Sequence, residues 1–182
     1  RIKEVYRPLP DSSSKSLRLE KYFEKKKIKT NYYERKIIEV GNTNIYVLND
    51  PHSFQYKNFS SNDKSGVLKI VYGDNSFLFV GDCEFPAEYY LATNFSRILD
   101  SDVLKVGHHG SATGSSEAFL NIVTPEYSLI SAGLKNKFNH PSERVLNSLA
   151  KNNSKILRTD HSGAILMQSD GKEIKVINWK IN

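Results

Sequence analysis

The apolar positions of this chain fall into short runs, and their spacing changes partway along it. In the first half the runs are brief, alternate with polar residues and are punctuated by turn residues. Ile2 to Tyr6 reads as a strand stopped by Pro8 and Pro10. Ser12 to Ser16 reads as a polar loop capping a helix from about Ser16 to Lys27. Lys36–Val40 and Asn44–Leu48 flank Gly41-Asn42, and Val67–Tyr72 and Ser76–Val80 flank Gly73-Asp74-Asn75, so two hairpins are predicted. Between them, residues 49–64 are polar and irregular.

In the second half strands alternate with helices. Pro86–Leu99 predicts a helix with Tyr89, Tyr90, Phe95 and Leu99 inward, and Val103–Val106 a buried strand. Ser115-Ser116 ahead of Glu117 marks a capped helix start, followed by a strand over Tyr127–Ser131 and a loop over Gly133–Asn139. Pro141–Ala150 predicts a helix with Pro141 in its first turn, then strands at Lys155–Arg158, Ala164–Gln168 and Glu173–Trp179. Hairpins followed by alternating strands and helices predict a mixed α/β (α+β) fold, with sheets flanked by helices.

Two apolar runs end in groups that carry chemistry. Phe77–Val80 runs into Gly81-Asp82, and Val103–Val106 into Gly107-His108-His109-Gly110-Ser111, which holds two of the five histidines. Glycines there permit a sharp turn and close approach to a ligand. Buried strands ending in a carboxylate and in imidazoles can set the two side by side, a pairing that suits zinc, manganese or iron. The bland reading is that the pair caps a strand end. Residues leaving a strand in succession point to opposite faces, so His108 and His109 are not expected to bind one ion together.

These residues resemble the metallo-β-lactamase fold, and more narrowly the hydrolase domain of ComEC-type competence proteins and their free-standing relatives. The resemblance rests on five segments in order. They are Asn62-Asp63-Lys64-Ser65, then Gly81-Asp82, then Leu104 to Ser111, then Asn139-His140-Pro141, and last Arg158-Thr159-Asp160 with Gly163-Ala164-Ile165. It implies an αββα sandwich and a hydrolase using two divalent metal ions, zinc or manganese. Asp82 would bridge the ions and one or both of His108 and His109 would serve as ligands. His109 and His140 would take part in catalysis, with His140 as proton donor or phosphate contact, or else as a helix-start histidine without a role. Gly110 and Ser111 offer an N–H and a hydroxyl to a phosphate or form a plain turn, and the resemblance sets Asp160 near the substrate where its residue type alone reads as turn chemistry. The implied substrate is DNA or another phosphodiester handled during competence-type uptake, in a membrane-associated or extracytoplasmic parent with a fused channel domain. Phosphomonoesters or phosphorylcholine are the nearest alternative substrates.

The resemblance also exposes a gap. The family's His-x-His-x-Asp-His motif is missing, and only His52 precedes Asp82. The chain begins at Arg1, and residues 1–182 are expected to be one domain, roughly the carboxy-terminal two-thirds of the family fold, incomplete at the amino terminus. Without the missing ligands the expectation becomes an inactive fragment or a nucleic-acid-binding module.

Composition sharpens this reading at a few points. At 182 residues, 38% hydrophobic and a mean hydropathy of −0.50, the chain fits one water-facing domain, and no run approaches the roughly 18 apolar residues of a membrane span. The single Cys83 rules out an internal disulfide and reads as a space filler rather than a thiolate ligand. The net charge of +6 and pI near 9.2 suit a phosphate-rich partner. Much of the excess lies between Lys15 and Lys36, where Tyr22, Phe23, Tyr32 and Tyr33 interleave. That is a composition for single-stranded nucleic acid, although a solvated helix face with Tyr22 and Phe23 turned to the core accounts for it better. Ser111 beside His109 lacks the elbow and oxyanion donors of a serine hydrolase.

Overall fold

The computed structural model describes residues 2–8 and 14–178. Pro10, Ser12 and Trp179, on which an expected strand stop, loop and strand end rest, lie outside them. The elements run β1 (Glu4–Arg7), α1 (Ser14–Lys25), β2 (Lys29–Tyr32), β3 (Lys36–Val40), β4 (Thr43–Val47), α2 (Phe54–Lys57), β5 (Leu68–Tyr72) and β6 (Asn75–Phe79). Then come α3 (Phe85–Leu99), β7 (Val103–Lys105), α4 (Glu117–Val123), β8 (Tyr127–Ile130), α5 (Glu143–Lys151), β9 (Lys155–Arg158), α6 (Thr159–Ser162), β10 (Leu166–Ser169) and β11 (Ile174–Ile177).

A seven-stranded mixed sheet in the order β3-β4-β5-β6-β7-β8-β9 forms the frame. Its first four strands pair antiparallel and its last four parallel, with β6 shared between the two regimes. Each parallel step is a crossover through a helix: α3, α4 and α5 in turn. Crossovers of one hand between successive neighbours set their helices on one face, and α4 packs against both α3 and α5. The mixed α/β class expected from the pattern is therefore what the chain adopts.

The core lies between the parallel strands and these helices. Leu78, Leu104 and Ile130 from β6, β7 and β8 are fully buried against Leu99, Leu120, Val123, Val145 and Leu149. Burying a leucine contributes roughly 1.5–3 kcal/mol, so this layer holds much of the stability. Glu88 is buried with it and accepts from the Ser115 and Ser116 N–H groups ahead of α4. Arg144 wraps the same segment, donating to the Ala112, Gly114 and Ser115 carbonyls.

Two smaller ladders complete the described residues. β1 pairs parallel with β2, a strand the pattern did not predict. β10 and β11 form a hairpin, and the stretch joining them is bolted to the β5–β6 turn. Asp74 N–H donates to Gly171 O at 2.7 Å, and Ser169 Oγ to Asn75 Oδ1 at 2.6 Å.

Several expectations are corrected. Tyr89 is 76% exposed, because α3 buries positions 87, 88, 90, 91, 95 and 99, and 100° steps then turn position 89 outward. Tyr22 is 52% exposed and only half-buried Phe23 turns inward, edge-on to it. Residues 49–64 are not wholly irregular: Ser53 caps α2, which buries Tyr56. The helix expected over Pro141–Ala150 runs Glu143–Lys151 with Ser142 as its cap, so Pro141 precedes it.

Candidate functional site

The turn after β6 carries Asp82. Gly81 has φ +58°, and a Cβ there would lie 2.4 Å from Ser65 Cβ, so only glycine fits. Ser65 Oγ accepts the Asp82 N–H at 3.0 Å, and buried Asp63 accepts the Glu84 N–H at 2.9 Å and the Ser60 hydroxyl at 2.8 Å. Asn49 fixes that strap from behind, donating to Ser65 O and accepting from Val67 N–H, both at 2.8 Å. The Asn62-Asp63-x-Ser65 segment thus shapes the turn that presents Asp82, whose side chain is 45% exposed. Cys83 is fully buried, and burial followed by the nearby carboxylates holds its thiol far above the ordinary range. It fills space.

The histidine pair does not leave its strand in alternation. Residues Gly107–Gly110 form a tight 3-10 turn in which His108 (φ 45°) and His109 (φ 56°) are both left-handed. Three contacts impose it. His108 N–H donates to Gly81 O at 3.1 Å, a Cβ on Gly107 would lie 2.9 Å from Cys83 O, and one on Gly110 2.6 Å from Pro141 Cβ. The turns after β6 and β7 and the segment before α5 are thereby locked together.

His109 Nδ1 lies 2.8 Å from Ser131 O, and its Nε2 3.7 Å from Asp82 Oδ1. A carbonyl can only accept, so Nδ1 carries a proton and Nε2 is the ring atom turned to the Asp82 side. A carbonyl-anchored imidazole is the usual form of a metal-ligating histidine. His108 turns elsewhere. Its Nδ1 is 3.3 Å from Glu84 Oε1, outside hydrogen-bond geometry, and its ring centroid is 5.8 Å from that of His140. His140 Nδ1 is buried, and among the described residues no group pairs with it. Burial first, then the charges of His108 and His109, lower its pKa, so the ring is neutral at neutral pH.

A cleft of about 400 Å³ opens beside these groups, lined by His109, Ser131, Asn136, Phe138 and His140 among others. Gly110 and Ser111 are buried and do not line it. Ser111 N–H donates to His108 O, and its hydroxyl pairs with Thr113 at 3.0 Å. Asp160 makes a two-pronged pair with Arg158, at 3.0 Å from Nε and 2.6 Å from Nη2, and its side chain is 9% exposed. Its neighbour Thr159 bonds both polar groups of Ala132. The Arg-Thr-Asp segment therefore braces the residue next to Ser131, on whose carbonyl His109 hangs.

Sequence reasoning missed three residues at this site. Lys105 donates to Val106 O, and burial lowers its pKa while the Asp82 charge opposes that shift. Glu84 accepts from Thr113 at 2.5 Å beside His108; its position two residues after Asp82 was the available signal. Phe138 gave none beyond its apolarity.

A carboxylate and imidazole nitrogens are donors of the kind that zinc or manganese takes. Their number falls short. Among the described residues no three His, Cys, Asp or Glu side chains converge on one point, whereas a zinc centre takes at least three protein ligands.

The model of the metallo-beta-lactamase superfamily matches residues 10–133. The chain is similar to Competence protein ComA of Neisseria gonorrhoeae, 45% identical over 109 residues, which are 60% of this chain and 16% of that protein. ComE operon protein 3 of Bacillus subtilis is 40% identical over 106 residues, 58% of this chain and 14% of that one. Recombination protein 2 of Haemophilus influenzae is 37% identical over 106 residues, with shares of 58% and 13%. The matched stretch is thus a small part of the length of each of these relatives.

Proposed function

Because this chain belongs to the metallo-beta-lactamase superfamily, we propose that it forms the carboxy-terminal two-thirds of a metal-dependent phosphodiesterase domain acting on DNA in competence-type uptake. The observation that carries this reading is the Asp82–His109 pair, 3.7 Å apart, with His108 and His140 adjoining it where the chain leaves parallel strands. Ligand sites of layered α/β folds gather at such strand ends. The names of the relatives supply the competence context.

Asp82 and His109 are the proposed ligands, with His108 alongside, in a set completed by residues outside this chain. Bound divalent ions supply a nucleophilic water at neutral pH and offset charge on phosphorus. This chain's own residues then orient and hold. Ser131 keeps the His109 ring turned, the Asn49–Asp63–Ser65 strap keeps Asp82 presented, and His140 meets the phosphate or the leaving oxygen. Among the described residues no helix is long and apolar enough to cross a membrane. The proposed membrane association and fused channel are assigned to a longer parent.

A second reading, a nucleic-acid-binding module without catalysis, draws on the short ligand count and the charge of +6. One experiment separates the two: strand cleavage by the parent protein across a panel of divalent metals, with and without Asp82→Ala. Losing several kcal/mol of charge stabilisation slows cleavage by on the order of a thousandfold. No cleavage by the unaltered parent with any metal removes the enzyme reading and leaves the binding module; undiminished cleavage by the variant removes Asp82 from the site.

A further inference from the structure

Phe138 stands 65% exposed on the rim of the cleft that His109 and His140 line. A single exposed apolar side chain is ordinary; what sets this one apart is the loop that holds it. Asn136 Nδ2 donates to Gly133 O at 3.0 Å and to His140 O at 2.7 Å, and Asn136 Oδ1 accepts the His140 N–H at 2.9 Å. Those three bonds clamp residues 133–140 around one side chain, so the ring is displayed by a formed loop. It lies nearly parallel to the His140 ring, 18° between planes and 5.7 Å between centroids. Lys137 Nζ sits 4.9 Å from its centroid, and Lys135 is two positions further back.

An exposed aromatic face with a lysine over it, at the mouth of a cleft lined by imidazoles, matches how proteins hold unpaired bases along a phosphate backbone. We propose that Phe138 is a stacking platform for a nucleobase of single-stranded nucleic acid whose neighbouring phosphate lies at His109 and His140. The inference rests on the phosphodiester reading of that cleft and names the substrate's form: a strand with unpaired bases. A base inside a duplex has both faces covered and cannot reach the ring. Lys137 leaves the ring for the backbone phosphate as the base arrives.

The test compares two short strands of equal length and charge, oligo-dA and its abasic counterpart, binding to this chain by fluorescence anisotropy at fixed salt. The base-bearing strand is expected to bind about fivefold to a hundredfold more tightly, the range for one stacked base. Phe138→Ala should bring the two affinities together and Phe138→Trp keep them apart, with melting curves confirming that both variants fold. Equal binding of the two strands by the unaltered chain overturns the proposal. So does a preference that survives Phe138→Ala, or duplex DNA binding as tightly as oligo-dA. Failure here is distinct from failure of the enzyme reading. Cleavage that depends on Asp82, without a base preference, removes only the platform; a base preference without cleavage keeps the platform and removes the enzyme.

Discussion

The two halves of the seven-stranded sheet are built from the same kind of strand and put to different uses. From β3 to β6 the strands pair antiparallel, and two of the three connections are two-residue turns. From β6 to β9 they pair parallel, and every connection is a helical crossover. A two-residue turn has no room for a binding loop, whereas a crossover must leave its strand, turn and enter a helix. Asp82, the histidine pair, His140 and Asp160 all follow parallel strands. The antiparallel half contributes support, the strap of Asn49, Asp63 and Ser65, from its one long connection. Burial follows the same divide. Leu104 in β7 is fully buried, while Ile37 and Val40 in β3 are each 59% exposed.

This contrast can be broken by mutation. Leu104→Ala should cost about 3 kcal/mol, the transfer loss plus an unfilled cavity, read by urea unfolding. A cost below about 1 kcal/mol would place the core elsewhere. Asp160→Asn should have a smaller effect, and one that depends on pH. The Arg158 hydrogen bonds hold the Asp160 carboxyl below the ordinary carboxylate range. A lowered folded-state pKa stabilises above the unfolded value of about 4 and ceases to as pH falls through the folded value. The melting difference between the natural chain and Asp160→Asn should therefore be full at pH 7 and shrink below about pH 4. Smallest of all, Ile37→Thr should move stability by under about 0.5 kcal/mol. A larger loss would mean that the outer antiparallel edge is packed against something.

Much of this division was readable in the chain. Gly41-Asn42 and Gly73-Asp74 announced the hairpins, and the run ending in His108-His109 announced a strand with a site behind it. β2 escaped notice because Lys29-Thr30-Asn31-Tyr32 lacks an alternating pattern, and its parallel partner β1 lies some 25 residues away. Tyr89 and Tyr90 were both expected inward because both are apolar, but adjacent helical residues are 100° apart and one face took only Tyr90. The five segments that marked the family were legible as markers, not as parts. That Asp63 and Ser65 hold the Asp82 turn, and that Thr159 braces Ala132, depends on contacts between positions far apart in sequence. Local pattern carries no trace of those contacts.

The left-handed backbone at His108 and His109 has a consequence for how this chain can change. Two adjacent residues with side chains occupy a region that glycine and asparagine enter more cheaply, and each such residue costs on the order of 1 kcal/mol or more. Selection for thermal robustness alone would drift both positions toward glycine or asparagine. Imidazoles at both positions therefore work against stability and point to a role in the cleft. A library screened first for melting temperature and then for strand binding would make that conflict visible at these two codons.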